Sequence, residues 1–238
     1  MRRPALALSI LRPAVSMTRY RIAVAASLSA FTLLVMAGCS SAASTSAPAK
    51  ALPAKASPSS ATGQTYASKA FVVPLTVTVD ASLKSPPNPD SRHLLSWDAA
   101  HDPSGKVRFL VPVNLYRPGS SAPEAPPRDY LAYLQGLTSQ GVKYSDGTKM
   151  TVDGHPATLM SVASTGARNL DGSLGCPTVG ADQGEGCFGF QPDLSMRIAV
   201  IPVGNSTLLA WARTSKDSPD TAAFFAMFGT MLKSVRFR

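Results

Sequence analysis

Polar and apolar positions alternate along several stretches of the 238-residue chain. Residues 71–79, FVVPLTVTV, are β-branched and alternating, and residues 106–113 put Val107, Phe109, Val111 and Val113 on one face, so both are expected to be strands. Pro74 and Pro112 lie inside these runs and lack the N–H a ladder needs, which predicts edge positions or bulges. A helical period follows at about residues 128–140, where Tyr130, Leu131, Leu134 and Leu137 form an apolar stripe and Gly141 is placed to end it. Residues 149–152 and 157–163 flank Asp153-Gly154, a pair suited to the positive φ of a tight hairpin. Residues 196–203 and 207–213, with Trp211 among them, flank Gly204-Asn205 as a second hairpin. Ser218-Pro219-Asp220 reads as an N-cap with Pro at the first helical position, opening a helix whose Phe224, Phe228, Met231 and Leu232 share one face. A short strand at 234–237 closes the chain. The order ββ-α-ββ-ββ-α-β predicts an α+β domain, an antiparallel β-sheet with two main helices packed on it. No period of 20 to 50 residues recurs.

Upstream of this domain the pattern differs. Residues 22–36, IAVAASLSAFTLLVM, are uncharged and mostly apolar, and basic residues precede them. Their length suits the apolar region of an export signal and is short of the ~20 residues that span a bilayer. Charge sharpens this picture. The chain carries 23 Lys plus Arg against 14 Asp plus Glu, but five of the positives (Arg2, Arg3, Arg12, Arg19, Arg21) lie within residues 1–38, which hold no acid. From residue 66 onward the balance is 16 against 14. The basic character belongs mostly to the export signal, and no basic run with interleaved aromatics follows, so nucleic acid is not an expected partner.

Met36-Ala37-Gly38-Cys39 ends the apolar stretch and resembles the lipobox of bacterial lipoproteins, with Met where Leu is usual. In that family small residues admit the signal peptidase, and the cysteine thiol is lipidated and becomes the new N-terminus. The resemblance implies a signal peptide at 1–38, its true start at Met1 or Met17, and lipidation of Cys39 as the membrane anchor. Two acyl chains on one residue are enough for stable anchoring. An uncleaved anchor and a soluble product cut elsewhere are the alternatives. Residues 39–65 are almost all Ala, Ser, Pro and Thr, with Leu52 the one large aliphatic residue; such a stretch cannot bury enough surface to offset its ordering entropy and is expected to be a disordered tether. A single domain is expected over 66–238.

Two cysteines remain, Cys176 and Cys187, and in an exported chain an even pair is most simply a disulfide. A redox pair would favour CxxC, and a metal site would need His or further Cys nearby. Gly184 to Gly189 spells GxGxxG, but Gln191-Pro192 follows where a dinucleotide site needs a helix. Asp171-Gly172-Ser173-Leu174-Gly175 is out of step with a nucleophile elbow and reads as a turn. Asp98, His101 and Asp102 offer oxygen and nitrogen to a metal or a hydrolytic site, yet sit in what reads as a polar loop. His155 is expected to be a solvated hairpin residue, and Asp146, Asp153 and Asp171 to shape turns. Trp97, Trp211, Phe224, Phe225 and Phe228 are expected to be core, with an apolar ligand pocket as the alternative. No metal or other cofactor and no catalytic set is expected.

Three segments carry a family resemblance: Phe71-Val72-Val73-Pro74-Leu75, Thr151-Val152-Asp153-Gly154-His155-Pro156-Ala157, and Met231-Leu232-Lys233-Ser234-Val235-Arg236-Phe237. Residues 66–238 resemble the PsbP-like sandwich of exported actinobacterial lipoproteins, including the LpqN type. The resemblance implies a non-catalytic module serving assembly or protein interaction. The expectation is therefore a lipid-anchored accessory module on the outer face of the cell membrane, with an envelope protein as partner. The alternatives are a binding module for a lipid or cell-wall ligand, and a hydrolase or metal enzyme using Asp98, His101 and Asp102.

Overall fold

A computed structural model describes residues 63–166 and 170–238 of the chain. Cys39, the expected export signal and the expected tether up to residue 62 lie outside the described residues.

Two central strands, buried on both sides, organise the domain. β9 (Leu194–Val203) and β10 (Ser206–Ser215) pair antiparallel through the Gly204-Asn205 turn. Side chains on a strand point alternately to opposite faces, so Ala199, Ile201, Leu208, Ala210 and Ala212 go to one core and Met196, Ile198, Val200, Leu209 and Trp211 to another. The six-stranded antiparallel sheet runs β3-β4-β10-β9-β8-β7, with β3 at Leu94–Asp98, β4 at Lys106–Leu110, β7 at Val142–Val152 and β8 at His155–Ser164. β7 and β8 turn at Asp153-Gly154, where φ is 47° and 81°, the geometry Asp-Gly tolerates.

One face carries helix α2 (Thr221–Ser234) and a three-stranded sheet of β1 (Gln64–Ala67), β2 (Leu75–Val79) and β11 (Arg236–Phe237) in the order β1-β2-β11. Phe228, Met231 and Leu232 of α2 are buried in one core with Val107, Phe109, Ala210 and Ala212. The other face carries α1 (Tyr130–Gly136), a 3₁₀ turn (Leu137–Gln140), the small β5–β6 pair (Leu115–Tyr116, Pro123–Glu124) and the loop bridged by the Cys176–Cys187 disulfide. The result is an α+β architecture of antiparallel sheets with two helices. Among the described residues no helix is long and apolar enough to cross a membrane.

Several expectations shift in detail. The ordered chain already pairs at Gln64 and Thr65, within the expected tether, because β1 is held by its ladder to Val79 and Thr78; of its four side chains only Tyr66 is buried. Both prolines fall just outside the strands: β2 starts after Pro74 and β4 stops before Pro112, where no N–H is available to continue the ladder. The single helix at 128–140 is instead α1 followed by a 3₁₀ turn. Asp129 caps α1 by accepting from the Ala132 N–H at 2.9 Å, and Thr138 and Ser139 donate back to the carbonyls of Gln135 and Gly136 at 3.0 Å, competing with α-helical bonding. Ser218 is not the N-cap of α2. Asp220 holds that position without a side-chain bond, while the Thr221 hydroxyl donates to the Ser218 carbonyl at 2.8 Å. β7 begins at Val142, well before residue 149, with Asp146 in the strand at a register shift between Ser145 and Thr148.

Candidate functional site

The apolar cleft beside Phe224 is assembled from four pieces of chain. The ends of β2 and β3, the turn after β3, the end of β10 and the first turns of α2 enclose about 320 Å³. Its apolar lining is Ala99, Ala223, Phe224 and Met227; Asp80, Asp102, Asp220 and His101 line it as well. The sequence places the carboxylates by turn chemistry. Asp80 follows β2 and accepts from the Ser82 N–H at 2.9 Å, and Asp102 accepts from the Ser104 N–H at 2.8 Å. The Ala100 N–H donates to the Ser82 carbonyl at 2.8 Å, tying the two turns together. Thr214, buried at the end of β10, shares a 3.1 Å hydroxyl bond with Thr221 and anchors α2 at the cleft.

Among the described residues no Lys or Arg forms an ion pair with Asp80, Asp102 or Asp220. The cleft therefore joins an apolar lining to unneutralised carboxylates. No three His, Cys, Asp or Glu among the described residues lie close enough to hold a metal ion. The structure brings His101 and Asp102 to the cleft and takes Asp98 away from it: Asp98 ends β3 and meets the Lys106 ammonium of β4 at 2.5 Å. That separation removes the proposed Asp98–His101–Asp102 set.

The aromatic residues divide between the two faces. Trp97 packs edge-on with Tyr66 and Phe109 at 5.9 and 5.4 Å between ring centres, and Trp211 meets Phe188 at 5.3 Å on the opposite face. Phe228 is fully buried, Phe224 and Phe225 half-buried, and of the five only Phe224 lines the cleft. Ser173 is fully buried and donates to the Leu170 carbonyl at 2.6 Å, as a turn residue. Gly184 and Gly186 lie in the disulfide-bridged loop and Gly189 just past it, with no helix following, and a Cβ on Gly189 would stand 2.0 Å from the Leu170 carbonyl oxygen. His155 is pinned rather than freely solvated: its Nδ1 lies 3.2 Å from the Pro202 carbonyl, and its ring meets the Phe237 ring edge-on at 5.0 Å.

A second, smaller cavity of about 160 Å³ sits under that loop, lined by Arg108, Arg213, Asp171, Gln191, Phe188 and Trp211 among others. Burial, then the charge of Arg213, lowers the Arg108 guanidinium to about 10, against an opposing pull from Asp98. Burial likewise lowers Arg213, opposed by Asp193 and Asp98. Sequence reading passed over both arginines. Their one signal was a cation at positions where KVRFL and AWAR alternate as half-buried strands.

No protein-family model matches the chain. No curated protein matches it either. Solved structures do. The cyanobacterial PsbP of Synechocystis matches at a TM-score of 0.41 and 9% identity, over 75% of this chain and 94% of that one. The Ran-binding protein Mog1p of Saccharomyces cerevisiae matches at 0.37 and 8%, over 73% and 95%. A protein of unknown function from Pseudomonas aeruginosa matches at 0.37 and 14%, over 71% and 96%. At these scores the chain is similar to them in the outline of its strands and helices.

Proposed function

We propose that the chain is an exported lipoprotein, tethered to the outer face of the cell membrane through Cys39, whose α+β domain is a non-catalytic binding module of the envelope working through the Phe224 cleft. The observation that carries this reading is the cleft itself: an open cleft with Ala99, Ala223, Phe224 and Met227 as its apolar lining beside three carboxylates. Its charge disfavours an anionic lipid and suits an apolar group that carries an ammonium or guanidinium. An accessory role through protein contact uses the same cleft if the partner presents such a side chain.

Two measurements test the two halves of the proposal. Cells fed labelled palmitate should label the chain, and Cys39→Ala should abolish the label; a labelled Cys39→Ala chain would remove the anchor assignment. Octylammonium, added below its micelle concentration, should raise the melting temperature, because a ligand of the folded state stabilises by mass action. Octanoate should not, and Phe224→Lys, which puts a cation in the apolar lining, should cancel the gain. Equal response to both amphiphiles, or an unchanged response in Phe224→Lys, would rule out the cleft as the site.

A further inference from the structure

Arginines are almost never deeply buried unless a carboxylate pairs with them, because an unpaired buried charge forfeits its hydration. Arg108 and Arg213 are both half-buried, on neighbouring strands. Trp211 stands opposite Arg108 and Arg213 stands opposite Lys106 in the β4–β10 ladder, so the two guanidinium groups are diagonal neighbours on one face of the sheet. Among the described residues neither makes an ion pair. The Arg108 Nε donates to the Ser96 hydroxyl at 3.3 Å, and its guanidinium lies 4.5 Å from the centre of the Phe188 ring. The Arg213 Nη1 donates to the Gln191 amide oxygen at 3.3 Å, while its Nε is buried with no hydrogen-bond partner.

Both side chains open on the same cavity of about 160 Å³. The carboxylates nearby do not satisfy them. Asp98 is held by Lys106 at 2.5 Å, and Asp193, whose charge reaches Arg213, forms no ion pair with it among the described residues. The cavity is well below the ~300–1,000 Å³ of sites for drug-sized ligands, so it has room for a small polar group with little attached to it. Guanidinium forks match the oxygen spacing of oxyanions and bind them with paired hydrogen bonds. Phe188, one wall of the cavity, follows directly on Cys187, so the disulfide holds the cover over the arginines.

We propose that this cavity binds one phosphate group, held between the guanidinium groups of Arg108 and Arg213, as the free ion or as the monoester end of a small molecule. The group would supply the acceptor that the Arg213 Nε lacks and a counter-charge for two like charges placed side by side. This site lies on the opposite face of the sheet from the Phe224 cleft and stands whether or not that cleft binds a ligand.

The test is calorimetric titration of the full chain with inorganic phosphate, at an ionic strength held constant with chloride, while the emission of Trp211 is followed. One phosphate per chain is expected, with a change in tryptophan emission that chloride does not produce. Arg108→Gln and Arg213→Gln should each weaken binding at least tenfold, and Arg236→Gln, on the exposed C-terminal strand, should not. Absence of phosphate binding to the unaltered chain, or equal binding by the Arg213→Gln variant, would overturn the assignment, as would an equal loss in Arg236→Gln. If Arg108→Gln fails to fold, Arg213→Gln and the response of the unaltered chain decide. Glycerol 3-phosphate in place of phosphate separates the sources: binding at least as tight as phosphate assigns a monoester, and binding of phosphate alone assigns the free ion.

Discussion

The two faces of the central sheet are closed in different ways. On one, the sheet presents small residues, with Ala199 opposite Ala210 across the β9–β10 ladder and Ala212 two residues along, and α2 lies down on them with Phe228, Met231 and Leu232. Regular amphipathic elements cover that face and seal it mainly by side-chain packing, with the Thr214–Thr221 hydroxyl bond and the bond from the Thr78 N–H to the Ser234 hydroxyl at the two ends of α2. On the other, the sheet presents Trp211, Ile198, Leu209 and Met196, and much of the cover is loop. The loop is tied by isolated antiparallel bridges, Asn114 to Cys176 and Gly175 to Phe188, and by phenols: the Tyr130 hydroxyl donates to the Leu174 carbonyl at 3.1 Å, Tyr133 to Ser173 at 3.0 Å, and Tyr116 to Ala181 at 3.0 Å. The Cys176–Cys187 bridge adds a covalent pin. An irregular cover thus relies on isolated backbone bridges, phenols and a crosslink where a helix relies mainly on side-chain packing, and each face carries one of the two candidate cavities at its margin.

Base should strain this contrast most, because it acts on several groups at once. Burial raises the phenols of Tyr130, Tyr144 and Tyr66 well above their ordinary value and pushes Tyr133 up to about 12. A phenol whose folded pKa is raised keeps its stabilisation below the unfolded value of about 10 and loses it as pH climbs beyond, since the unfolded chain gives up the proton first. Tyrosinate absorbance should therefore rise together with loss of circular dichroism. Three of the four phenols belong to the loop-covered face, so hydrogen exchange should show that face opening first. Simultaneous opening of both faces would erase the distinction between them.

Phe228→Ala should cost about 3–5 kcal/mol, the usual loss for a buried Phe, measured by denaturant unfolding. Replacing Cys176 and Cys187 by Ser should cost about 2–4 kcal/mol. Its damage should be confined to the loop-covered face, with amide protection of α2 unchanged at low denaturant. Tyr130→Phe removes one hydroxyl and leaves the Leu174 carbonyl short of a donor, for about 1–3 kcal/mol. A Tyr130→Phe variant as stable as the parent would show that this phenol pin is dispensable and that the remaining ties hold the loop.

Local signals were legible where they were strong. The β9–β10 hairpin, the Asp153-Gly154 turn and the apolar stripe of α2 stand where alternation and turn chemistry put them, and Cys176 and Cys187 are joined. β3 went unread because LLSWD is buried at four successive positions and shows no alternation. β1 went unread because its pairing to β2 is backbone work that polar side chains do not announce. The candidate sites were legible only in fragments. His101, Asp102 and Phe224 were singled out separately, for a metal and for a core, and nothing in their spacing of more than a hundred residues joins them at one cleft.

The residues alone determined the class of fold, the disulfide partners and the near-neutral charge of the domain against a basic N-terminal segment, because period, pairing and composition are local properties. Which carboxylates share a cleft, which tryptophan faces which core and which arginines share a cavity were decided by strand order and register. Asp98 and Asp102 are four residues apart, yet one closes an ion pair across the β3–β4 ladder while the other faces the Phe224 cleft. Arg108 and Arg213 are 105 residues apart and are neighbours, because β4 lies beside β10.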